Sequence, residues 1–146
     1  MGKWVPSMII LAVTAVSCPT PQAYAGYKTT CLTCSLPGDT VRRWNPKIND
    51  RDEVVWTEWT DKAFISHYNG KEIIQVTDTE ELRWCHYPRL NNRGEIFCSC
   101  SITGIDPHDD DFDVYHFDGQ DLIQISDSPY RDIVWDESDA GIAWVQ

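Results

Sequence analysis

The sequence predicts an all-β chain in which one short antiparallel unit is written twice and begun a third time. Three observations carry this expectation. The segment Trp44–Trp56 matches His86–Cys98 at an offset of 42 residues, and Ile65–Asp78 matches Val114–Asp127 at an offset of 49. Each repeat places β-prone runs on either side of an Asn-Gly or Asp-Gly pair, the strongest short-range hairpin signal. No helical hydrophobic period of useful length follows residue 26.

The elements follow in order. In the first copy, strands are expected at 46–49, 54–59, 63–68 and 72–76. Asn49-Asp50-Arg51-Asp52 supplies the first turn and Asn69-Gly70 the third, for which a type I′ geometry is expected. In the second copy, strands are expected at 88–91, 95–101, 114–117 and 121–125, with Asp118-Gly119 in the place of Asn69-Gly70. The seven-residue difference between the two offsets is an insertion within Ile102–Asp113. Ile133–Trp144 repeats the first block with one extra residue, giving strands at 133–136 and 142–145. The first copy carries Asp52 where the second has Gly94, so a looser turn is expected there.

Ahead of the repeats stands a targeting pattern. Met1-Gly2-Lys3 gives a positive start, Val5–Val16 an apolar run, and Ala23-Tyr24-Ala25 small residues at the positions a signal peptidase reads. Residues 1–25 are thus expected to be a signal peptide and the protein secreted or periplasmic. A rival reading takes Ala15-Val16-Ser17-Cys18 as a lipoprotein box with Cys18 lipidated. Residues 26–43 form a cysteine-containing arm, and 44–146 carry the repeats, divided at 44–85, 86–132 and 133–146.

Four short strands at a period in the forties are the signature of a β-propeller blade. Pro46-Lys47-Ile48-Asn49, Val54-Val55-Trp56, Tyr68-Asn69-Gly70 and Gln75-Val76-Thr77-Asp78 resemble the tandem propeller repeats of exported bacterial proteins, distantly related to TolB-type blades. The resemblance covers about residues 44–146. It implies propeller-like blades of antiparallel four-stranded sheets in an incomplete ring, since a closed propeller takes roughly 4–8 blades. Three outcomes are open: assembly with copies of itself, a truncated member of a longer family, or an open set of sheets stapled by disulfides. The resemblance does not specify a function.

Composition narrows the function classes. The chain has 23 acidic against 12 basic groups and a net charge of -11. No basic cluster exceeds Arg42-Arg43, so the phosphate-binding footprint of a nucleic-acid partner is missing. There is no Gly-x-Ser-x-Gly, no phosphate loop and no His-Glu-x-x-His. The expectation is a non-enzymatic binding or scaffold protein with an unknown protein or carbohydrate ligand. Two alternatives stand beside it: a lectin-like module completed by homo-oligomerisation, and a thiol redox protein.

The candidate chemistry lies in four places. Cys31, Cys34, Cys85, Cys98 and Cys100 are disulfide candidates in an oxidising compartment, and their odd number leaves at least one unpaired within the chain. Cys31-Leu32-Thr33-Cys34 is a C-x-x-C that reads as a redox pair or as a structural disulfide, without the His of a haem site. Cys98 and Cys100 lie on one face of a strand, with Cys98 in the register position of Trp56; a four-cysteine zinc site is a weaker reading of these sulfurs. Asp109, Asp111 and Asp113 alternate as the oxygen ligands of a calcium loop do, although Val114 and Gln120 exclude an EF-hand; the bland reading is a solvated acidic loop. Trp59 and Trp84 fall outside the clearest repeated register and are the expected ligand-facing tryptophans. His67 and His116 occupy equivalent repeat positions, which points to a structural role.

Overall fold

A computed structural model describes residues 30–33, 41–77, 80–102 and 111–145, which hold ten strands and no helix. Residues 1–25, expected to be a signal peptide, and Cys34 and Asp109 lie outside them, Cys18 among the first. Strands β1 (Arg42–Ile48), β2 (Val54–Trp59), β3 (Ala63–Tyr68) and β4 (Ile73–Gln75) form one antiparallel meander. Strands β5 (Trp84–Leu90), β6 (Ile96–Ser101), β7 (Asp113–Phe117) and β8 (Leu122–Gln124) form a second. A single parallel bridge, Ala63 to Trp84, links the two meanders. Strands β9 (Ile133–Ser138) and β10 (Gly141–Val145) pair separately as a hairpin. The sheets are antiparallel and none closes on itself.

All ten expected strands are present. Two begin about four residues earlier than the sequence suggests, because Pro46 and Pro88 sit inside β1 and β5 rather than at their starts. Each strand absorbs its proline at an irregularity, between Trp44 and Lys47 in one and between His86 and Arg89 in the other. Asn45 and Tyr87, one residue before each proline, take positive φ of 52° and 54°.

The repeat is exact in its backbone chemistry. Asn49 Oδ1 accepts from the N–H groups of Arg51 and Glu53, and Asn91 Oδ1 accepts from those of Arg93 and Glu95. Asp52 and Gly94 both take positive φ, 59° and 86°, so the first turn forms with Asp as it does with Gly. Thr77 Oγ1 accepts from Ile65 N–H at 2.9 Å, and Ser126 Oγ accepts from Val114 N–H at 2.8 Å. A hydroxyl is needed at this position because it satisfies a buried strand donor.

The Asn69-Gly70 and Asp118-Gly119 turns depart from the expected type I′ geometry. Only the glycines take positive φ, 88° and 103°. Each Asx side chain instead bonds forward: Asn69 Oδ1 accepts from Lys71 and Glu72, and Asp118 Oδ1 from Gln120 and Asp121. These backbone donors hold the Asp118 carboxyl below its ordinary range.

Two cores lie between successive repeats. Val55 and Ile65 of the first meander pack against Leu90, Ile96, Cys98 and Tyr115 of the second. Phe97 and Val114, on the opposite face of the second meander, pack against Val134 and Ile142. This stacking explains an asymmetry between equivalent positions. Leu90 is 3% exposed, whereas Ile48, 42 residues earlier, is 47% exposed. Polar groups bridge the same seams: Asn49 Nδ2 donates to Asn91 O at 2.9 Å, Asp50 pairs with Asn92, and Asn92 N–H donates to Asp139.

Candidate functional site

Two cross-strand links occupy the same repeat position with different chemistry. On β1 and β2, Arg43 pairs with Glu58 at 3.3 Å, and Trp56 Nε1 donates to the same carboxylate at 2.9 Å. Forty-two residues on, those three positions are Cys85, Cys100 and Cys98. Cys85 and Cys100 form a disulfide between β5 and β6. Cys98 is a free thiol, fully buried, 3.7 Å from Cys100 Sγ, and so is removed from the disulfide candidates. Burial pushes its thiol up to about 12, so it carries almost no thiolate at neutral pH. The disulfide also takes two sulfurs from the four-cysteine zinc reading. Cys31 is disulfide-bonded as well.

The acidic positions are placed as follows. Asp111 is exposed, while Asp113 at the start of β7 is buried and accepts from Gln124 Nε2 at 2.8 Å and from Ser128 N–H at 3.3 Å. Burial, and then the charges of Asp111, Asp127 and Asp132, push the Asp113 carboxyl up. Among the described residues no group of three or more His, Cys, Asp or Glu side chains could hold a metal ion. His67 and His116 sit in equivalent places on β3 and β7, paired across the sheet with Val55 and Phe97. Burial lowers the His67 pKa.

The structure brings Trp59 and Trp84 together. Their ring centroids are 5.0 Å apart, and Trp44 joins them at 5.4 Å from Trp59. Strand pairing dictates this. Trp59 ends β2, Trp44 lies on the neighbouring β1, and the bridge from Ala63 draws Trp84 alongside. His86 extends the cluster at 5.6 Å from Trp59. Burial, with a smaller effect from the Arg131 charge, lowers the His86 pKa to about 4, so the cluster is uncharged at neutral pH. Trp59 and Trp84 are half-buried, whereas Trp44 is 42% exposed and forms the open edge. The Trp84 Nε1 donor is buried without a partner.

No family model, curated protein or solved structure matches the chain.

Trp44, unlike Trp59 and Trp84, stands in the clear repeated register, yet it is the most exposed of the three. Its partner position, His86, is covered by the preceding repeat, and Trp44 has no such repeat before it among the described residues. Two cavities flank the cluster's strands. One, of about 320 Å³, lies against Thr30, Leu32, Val54 and Tyr68. The other, of about 490 Å³, lies between β5 and the β9–β10 hairpin. Tyr87, Arg89, Arg131 and Trp135 line it. The sequence marks Trp135 only through the third repeat copy and gives no sign that Tyr87, Arg89 and Arg131, from separate segments, meet it.

Proposed function

We propose that this chain is an exported, non-enzymatic binding or scaffold protein whose repeats are propeller-like blades of the TolB-related kind. Support comes from the two meanders, which share turn chemistry and stack through a common core. A rigid β framework of this sort holds surface side chains in fixed positions. The observation that carries the binding role is the Trp44–Trp59–Trp84 cluster. It is three indoles wide and partly open to solvent, with one buried donor left unpaired. An uncharged aromatic cluster of this kind, its rings tilted by 56° and 59° to one another, suits a neutral carbohydrate stacked on the open Trp44 edge.

The test is calorimetric titration with a panel of neutral oligosaccharides, on the chain and on Trp44→Ala. The reading expects one panel member to bind and Trp44→Ala to abolish that binding with the unfolding midpoint little changed. Binding that survives in Trp44→Ala removes the aromatic face from the proposal. The lectin-like reading completed by self-association is favoured by the apolar surface of the last hairpin, where Trp135, Trp144 and Val145 are exposed. Sedimentation equilibrium of the chain separates it from a monomeric scaffold.

A further inference from the structure

The cavity between β5 and the β9–β10 hairpin has a poorly satisfied cation in its lining. Arg89 is committed: its Nε and Nη2 donate to Trp135 O at 3.0 and 2.7 Å, its Nη1 to Pro88 O, and Glu137 lies 3.4 Å away. Arg131 is not. Its Nε is buried without a hydrogen-bond partner, and no carboxylate of the described residues forms an ion pair with it. Its chain neighbour Asp132 accepts from Ser128 Oγ instead. The Arg131 guanidinium is held by the Phe112 ring, 5.2 Å from its centroid.

Arg131 lines the cavity as a cation that no carboxylate of the described residues pairs, and an anion entering the cavity supplies that charge. The rest of the cavity sets the shape of that anion. Trp135, 67% exposed, and Tyr87 offer aromatic faces, with Ile133 and Val145 beside them. The volume of about 490 Å³ falls within the range of small-ligand sites, about 300–1,000 Å³. The chain's charge of -11 disfavours anions in general, so a bound anion needs this local cation. We propose that this cavity binds a carboxylate-bearing sugar of the uronic acid class, its carboxylate on Arg131 and its ring against Trp135. The site uses none of the Trp44 cluster's indoles and goes beyond that reading.

The experiment is an NMR titration of the chain with glucuronate, glucose and acetate. Glucuronate is expected to bind at least roughly tenfold more tightly than either of the others, since only it offers both the charge and the ring. Its affinity should fall with added salt. Arg131→Gln should weaken it at least tenfold, and Trp135→Ala, at an exposed position that leaves the fold intact, should weaken it severalfold. Trp44→Ala should leave it unchanged. Equal binding of glucose or acetate, no binding of glucuronate, or full affinity in Trp135→Ala overturns the proposal. Loss in Trp44→Ala instead moves the ligand to the aromatic cluster and overturns it as well, while leaving the Trp44 reading in place.

Discussion

Gly94→Ala tests how the repeats are held together. Gly94 has φ of 86°, and a Cβ there would collide with Arg51 Nη2 of the preceding repeat and lie 3.0 Å from Glu53 Oε2. Gly70 has almost the same φ, 88°, with nothing within 4 Å of an added methyl group. Both substitutions carry the cost of a left-handed backbone, ~1–2 kcal/mol, offset in part by the stiffer unfolded chain. Gly94→Ala alone must also push Arg51 off Glu53, to which its Nη2 donates at 2.9 and 2.7 Å. That guanidinium is half exposed, so the loss is a screened one of ~0.5–1 kcal/mol. Glu53 itself stays held by Asn49 Nδ2 at 2.7 Å. The expected totals are ~1 kcal/mol for Gly70→Ala and ~2 kcal/mol for Gly94→Ala, read by urea unfolding. The double variant Arg51→Ala/Gly94→Ala decides the cause: without the guanidinium, most of the excess of Gly94→Ala over Gly70→Ala should vanish, leaving only the 3.0 Å approach to Glu53 Oε2. An unchanged cost in that background would refute the inter-repeat contact as the source.

The sulfur and histidine positions yield the remaining predictions. Cys85→Ser opens a cross-link of sequence separation 15 and should cost ~3 kcal/mol, seen as a lowered urea midpoint that reductant also produces in the parent chain. In the folded protein Cys98 should react with a thiol reagent only as fast as the sheet opens; rapid labelling under native conditions would contradict its burial. His86 binds its proton less well folded than unfolded, because burial and Arg131 lower its pKa from 6.5 to about 4. Stability from this group is therefore full above pH 6.5 and is lost as pH falls from there towards 4, by ~3 kcal/mol at the limit. His86→Phe should flatten that part of the pH–stability curve, and an identical curve would count against it.

The strands, turns and repeat are legible in the sequence because the signals are local. Asn-Gly and Asp-Gly mark turns wherever they stand, and the 42- and 49-residue offsets locate equivalent positions without any knowledge of the fold. The pairing of Cys85 with Cys100 is nearly within reach. Extending the first match back by one residue aligns Cys85 with Arg43, and the same offset aligns Cys100 with Glu58. A cross-strand link at one repeat position then suggests a link at the other. The odd count anticipates a leftover thiol, but its identity requires knowing that Cys98 faces the core.

The sequence by itself determined the period, the ten strands and the residue types that each turn and strand end demands. Tertiary structure decided which of two equivalent side chains is covered. Ile48 and Leu90, or Trp44 and His86, occupy the same place in their repeats, yet among the described residues only the second of each pair has a preceding meander to pack against. It also decided that Arg131, with no ion-pair partner among the described residues, lines one cavity with Trp135, since residues from β5, the segment before β9 and β10 meet only when the sheets stack. Local propensity follows from a residue and its chain neighbours, whereas burial and unpaired charge follow from what lies across the seam, and the chain order does not record that.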